Sequence, residues 1–255
     1  MRRFDCNCFT GNWPFHYIRA NTPEKLAALH ARAGITGGLV SAFEGIFFQD
    51  PWEADSRLAE ALAGTNYLQA QTINPLHPGW EGMLLRGVKA GVKAVRIYPG
   101  FHDYLLDSPA LAELCDALRE YRLPLVLSLR LEDSRITYMY HPKAVDPNYV
   151  SYFLSAQRGI PTLITNIERG EISFLQDQMA ERGDVYIDTA GMRSGAFAVE
   201  KAVKAGYAPY LVYGSTAPLF ELMSTVCTVD MDPCAQEVKD RIFDGHGFAD
   251  ALMRG

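Results

Sequence analysis

The first apolar stretch of the chain, Phe4-Asp5-Cys6-Asn7-Cys8-Phe9, alternates as a strand does, yet it carries a carboxyl, a carboxamide and two thiols. Strict alternation predicts Asp5, Asn7 and Phe9 on one face and Cys6 and Cys8 on the other. A thiol pair two residues apart can bind metal. No second pair stands near it at ligand spacing, so Cys6 and Cys8 read as small apolar residues packed outside the strand. The six histidines, at positions 16, 30, 77, 102, 141 and 246, form no short ligand spacing and no His-x-x-Glu-His pattern. His102, in Tyr98-Pro99-Gly100-Phe101-His102-Asp103, follows an apolar run and suits acid/base work. Arg130-Leu131-Glu132-Asp133-Ser134-Arg135 follows another; Arg130 could grip a carboxylate bidentately, with Glu132 holding it or acting as base. The catalytic candidates are therefore His102, Arg130 and Glu132. Arg96 lies inside the apolar run Val95-Arg96-Ile97, where a charge must be paired or used, and Asp5 is the partner expected for it.

The elements that must position these residues are marked by a repeated device, a capping side chain followed by proline, in Thr22-Pro23, Asp50-Pro51, Ser108-Pro109 and Asp146-Pro147. Each precedes apolar residues at helical spacing, such as Leu111, Leu114 and Leu118. Between the helices lie short runs that are mostly apolar on both faces, for example Gly38–Phe43, Ala94–Tyr98, Leu125–Leu129, Thr162–Thr165 and Val185–Ile187, as suits a parallel sheet covered on both sides. With the opening strand the alternation gives eight strand-helix units, which predicts a single-domain (β/α)8 TIM barrel spanning residues 1–255, its tail from Asp232 to Gly255 forming one or two closing helices.

Composition narrows the function. The chain has 255 residues, 24 Lys and Arg against 30 Asp and Glu, and a formal net charge of −6, with no basic stripe to track a phosphate backbone. Nucleic acid is not an expected partner. No apolar run approaches the roughly 20 residues a membrane-spanning helix needs, and the start has no signal-peptide pattern, so a cytoplasmic protein without a membrane partner is expected. Five cysteines are odd in number and too few for a disulfide framework. Aromatic residues after the second strand, Phe47, Phe48 and Trp52, make a homodimer reasonable.

The order FDCNCFTGNWPF, AVRIYPGFHDY, PLVLSLRLEDSR, LVYGSTAPLF and IFDGHGFADAL resembles the amidohydrolase-related branch of the metal-dependent amidohydrolase superfamily over nearly the whole chain. The resemblance implies a barrel whose metal is held by a His-x-His on strand one, histidines ending strands five and six, and an aspartate ending strand eight. Those positions fall here on Asn7-Cys8-Phe9, on Ser128, on or beside Asn166, and on Thr216. None is a good ligand for a zinc-type ion, so no metal or other cofactor is expected. What remains is a polar mouth, with Asn7, Arg96, Tyr98, Asn166, Asp188 and Thr216 as candidates to bind a small polar or acidic substrate. The resemblance implies hydrolase or related lyase chemistry, on a lactone, an ester or a C–C bond. Two alternatives stand beside it: a non-catalytic barrel binding a ligand or partner, and a hydrolase with one divalent metal, such as zinc, on Asp5, His102, Glu132 and Asp188.

Overall fold

The computed structural model describes residues 2–132 and 142–254. Asp133, Ser134 and Arg135 of the charged stretch lie outside the described residues. The short apolar runs form eight parallel strands in chain order: β1 (Phe4–Thr10), β2 (Gly37–Ala42), β3 (Leu68–Thr72), β4 (Ala94–Ile97), β5 (Leu125–Ser128), β6 (Thr162–Thr165), β7 (Val185–Asp188) and β8 (Leu211–Val212). The first and last strands meet through Cys6 N–H to Tyr213 O at 2.9 Å, Phe9 N–H to Ala217 O at 2.8 Å and Thr216 N–H to Asn7 O at 2.7 Å, closing a (β/α)8 barrel.

The outer ring comprises α1 (Pro23–Ala31), α2 (Pro51–Leu62), α3 (Trp80–Ala90), a short α4 (Pro99–His102), α5 (Pro109–Tyr121), α6 (Pro147–Ala156), α7 (Gln176–Arg182), α8 (Ala198–Lys204) and α9 (Leu222–Asp230). Two closing helices follow, α10 (Gln236–Asp244) and α11 (His246–Leu252). The cap-proline starts form as the sequence predicts. Thr22, Asp50, Ser108 and Asp146 each accept a backbone N–H of the first turn, and proline fills the position where a donor would have no partner. Cys227 lies in α9, whose buried Leu222, Val226 and Val229 recur at helical spacing. No described helix is long and apolar enough to cross a membrane.

The interior is layered. Phe4, Cys6, Leu39, Ala70, Ala94, Val126, Leu163, Tyr186 and Val212 make an apolar floor, sealed from below by Phe248, Ala249 and Leu252 of α11. Two residues further along each strand, the same inward face carries Ser41, Thr72, Arg96, Ser128, Thr165 and Asp188, all buried. Above them Phe9, Phe43, Tyr98, Trp13, Ile18, Ile46 and Leu131 form an aromatic-rich roof.

Strand β1 departs from the expected alternation. Asp5 pairs with Gly38 and Cys8 with Val40, so three steps on β1 match two on β2, a β-bulge. The extra residue shifts the phase. Cys6 joins the barrel floor and Asn7 also faces inward, whereas Asp5 and Cys8 face the helical shell. Strict alternation misplaces Asp5 and Cys6, and Asp5 is accordingly not the partner of Arg96. The bulge needs Gly38 opposite it, because a β-carbon there would stand 2.8 Å from Asp5 O and 2.9 Å from Cys8 Sγ. Gly38→Ala is expected to destabilise the fold by about 1–3 kcal/mol through overpacking, read as a lowered urea midpoint at an unchanged slope.

Candidate functional site

Arg96 is the centre of the polar layer. It is fully buried, with its guanidinium 4.5 Å above the Phe9 ring, and its Nη1 donates to Asn7 Oδ1 at 2.6 Å and, at 3.5 Å, to Ser128 Oγ. Burial pulls its pKa down, but a guanidinium stays protonated. Asn7 turns its amide so that its oxygen faces the cation and its nitrogen faces the anion: Nδ2 donates to Asp188 Oδ2 at 2.6 Å and to Thr216 Oγ1 at 3.0 Å. The amide dipole thus bridges a buried guanidinium and a buried carboxylate that do not touch.

Asp188 ends β7, and its Oδ1 accepts the Asn166 backbone N–H at 2.8 Å. Burial pushes its pKa from the usual carboxylate range up to about 7, against the pull of the Asn166 N–H, the Asn7 amide and Arg96. Thr216 Oγ1 donates to Asn166 Oδ1 at 2.9 Å, and Asn166 Nδ2 donates to the Arg130 carbonyl at 2.9 Å. Both Asn166 and Thr216 have left-handed backbones, at φ 58° and 55°. That is tolerable for asparagine and strained for a β-branched threonine, as is common where a site fixes its side chains.

Five of the six expected binding residues, Asn7, Arg96, Asn166, Asp188 and Thr216, form this one network, and Tyr98 roofs it. The three expected catalytic residues are engaged elsewhere. His102 Nε2 bonds the Ile46 carbonyl at 3.0 Å, and burial lowers its pKa. Arg130 is clamped by both oxygens of Glu171 at 2.7 and 2.8 Å, a rim ion pair. Glu132 faces His16 Nε2 at 3.3 Å.

The positions that resemblance assigns to a metal do not fit one. They offer two carboxamides, a phenyl ring and two hydroxyls, and a permanent cation stands among them. Nor do Asp5, His102, Glu132 and Asp188 gather: among the described residues the cluster of three or more metal-capable side chains is Asp5, Cys8 and His30, outside the barrel. The stacked pair Phe9 and Phe43, 4.6 Å between centroids, with Trp13 edge-on at 5.2 Å, completes the roof.

Several buried donors in and beneath the roof have no protein partner: Arg96 Nε and Nη2, Trp13 Nε1 and the Tyr98 hydroxyl. Unsatisfied buried donors are costly, most of all on a charged group.

No protein-family model matches the sequence, and no curated protein matches it. Solved structures do. An uncharacterised TIM-barrel protein from Bordetella bronchiseptica is similar at a TM-score of 0.76 with 13% identity, covering 100% of this chain and 99% of the other. The 5-carboxyvanillate decarboxylase of Sphingomonas paucimobilis is similar at 0.70 with 12% identity and 99% of both chains. An amidohydrolase from Burkholderia multivorans is similar at 0.69 with 11% identity and 99% of both. At these identities the likeness is one of fold.

The raised pKa of Asp188 couples the layer to pH. Between the unfolded value near 4 and about 7 the native state binds the extra proton, so stability falls as pH rises through that window. Asp55, on α2 and pushed up to about 8 by burial, adds a slope of the same sign. Asp188→Asn should remove about one proton's worth, roughly 1.4 kcal/mol per pH unit between pH 5 and 6, measured as the difference in urea stability between the variant and the parent.

Proposed function

We propose that the barrel is a hydrolase or related lyase acting on a small acidic substrate at the C-terminal mouth of its strands, without a metal there. The observation that carries this reading is Arg96: a fully buried guanidinium with two of its three nitrogens, Nε and Nη2, without partners. A substrate carboxylate offers what that edge lacks, two anionic oxygens spaced for parallel N–H bonds. The roof of Phe9, Phe43, Trp13 and Tyr98 suits a planar ring or short apolar body above the carboxylate. The solved neighbour named as a 5-carboxyvanillate decarboxylase acts on a molecule of this class, which supports the substrate class and, among ester, lactone and C–C cleavage, the last.

Asp188 takes the acid/base role that sequence reading gave to His102. With a pKa near 7 it can take or give a proton at neutral pH, and it is one amide away from the anchoring cation. The guanidinium holds the carboxylate and offsets negative charge that develops beside it. Arg130 and Glu132 keep the rim in place. Ligand reaches Arg96 only if the roof shifts, since Trp13 is only 4% exposed and Phe9 and Phe43 are sealed. The same sealed roof favours a second reading, a barrel that binds an acid without turning it over.

Binding of substituted benzoates, followed by calorimetry, tests both readings. The parent should bind a subset of them and reject their methyl esters, and Arg96→Met should weaken binding at least tenfold. Turnover of a bound acid that is lost in Asp188→Asn supports the enzyme, whereas binding without turnover supports the second reading. Equal affinity of parent and Arg96→Met would remove Arg96 as the anchor and the substrate class with it.

A further inference from the structure

Behind β1, outside the barrel, three side chains of different chemistry converge. The β-bulge sends Asp5 and Cys8 toward α1, where His30 meets them, and one ligand atom from each lies within 4.8 Å of the other two. All three residues are fully buried. His30 Nε2 stands 3.2 Å from Asp5 Oδ2, yet it has no hydrogen-bond partner, so the pair is close without being aligned as N–H to oxygen. The other ring nitrogen, Nδ1, is 2.9 Å from the Tyr67 hydroxyl. When Nδ1 carries the proton and donates it to Tyr67, the lone pair of Nε2 faces Asp5 and Cys8.

We infer that Asp5, Cys8 and His30 bind a zinc-type divalent ion between β1 and α1, a site distinct from the mouth. The donor set is one that zinc prefers, and donors about 2.0–2.3 Å from a tetrahedral ion stand roughly 3.3–3.8 Å apart, near the 3.2 Å of the His30–Asp5 pair and inside the 4.8 Å that bounds all three. Binding replaces the Cys8 thiol proton by the metal–sulfur bond and releases that proton to solvent. A carboxylate, a thiolate and a 2+ ion then sum to no net charge, which suits a site lacking any Lys or Arg ion pair among the described residues. Tyr67 fixes the ring of His30 as an outer partner. It is half-buried and borders a surface cleft of about 370 Å³ with Ala27 and Ile35, which gives an ion a route past α1. Ser215 donates its N–H to Asp5 Oδ1 at 3.0 Å and its hydroxyl to Oδ2, so the ion would brace the β8 turn as well as the bulge.

The test is elemental analysis of the purified chain, followed by replacement with cobalt(II). One ion per chain is expected, with a thiolate-to-cobalt charge-transfer band in the near ultraviolet. Cys8→Ser should lose the band, and Arg130→Met, whose side chain sits in the rim ion pair with Glu171, should keep it. Tyr67→Phe should weaken zinc binding about 10- to 100-fold with an unchanged circular dichroism spectrum. That variant keeps the test open if Cys8→Ser fails to fold. Protein that neither contains nor takes up zinc or cobalt would overturn the inference, as would bound metal that survives Cys8→Ser or that is lost in Arg130→Met.

Discussion

Everything inside this barrel is arranged around one buried positive charge. A guanidinium with no access to water cannot lose its proton and cannot be left alone, so the surrounding strands must supply acceptors and a counter-charge. They do so at one remove. Asn7 stands between Arg96 and Asp188 with its amide oriented for both, and Thr216 and Asn166 hold that amide in turn. Gly214 belongs to the same constraint, since a β-carbon there would stand 2.7 Å from the Asp188 side chain and 2.9 Å from that of Asn7.

Much of the architecture was legible because two periodicities were clean. The cap-proline pairs mark helix starts through the local chemistry of the first turn, which tertiary context rarely overrides. The strands were legible as short apolar runs, and their inward polar layer was already written in the alternation Leu39-x-Ser41, Ala70-x-Thr72, Ala94-x-Arg96, Val126-x-Ser128, Leu163-x-Thr165 and Tyr186-x-Asp188. Reading those six pairs together, rather than strand end by strand end, would have separated the layer from the rim. It would also have set Asp188 apart from Arg130 and Glu132.

Other features could not be read from one dimension. The bulge in β1 is a register property of two strands, fixed by the close approach of Gly38, and it reverses the face of Asp5 and Cys6 without any local sign in FDCNCF. The meeting of His30 with Asp5 and Cys8 depends on that reversal and on the packing of α1. Arg130 and His102 looked chemical because they follow strands, yet Arg130 has a carboxylate within reach on the rim and His102 a backbone carbonyl. A strand-end position admits both outcomes.

The closure of the barrel has a bearing on how the chain comes to be folded. Asn7 lies 181 residues from Asp188 and 209 from Thr216 along the chain, so the amide that bridges cation and carboxylate finds Asp188 only when β7 is in place and Thr216 only when the turn after β8 is. Until then a folding or nascent chain holds Arg96 without its relay, and contacts of such sequence separation form slowly because loop closure must precede them. A fragment ending before β7 would lack both Asp188 and Thr216 and leave the Asn7 amide without either of them. The interaction around which the interior is built therefore joins parts of the chain that are far apart in sequence.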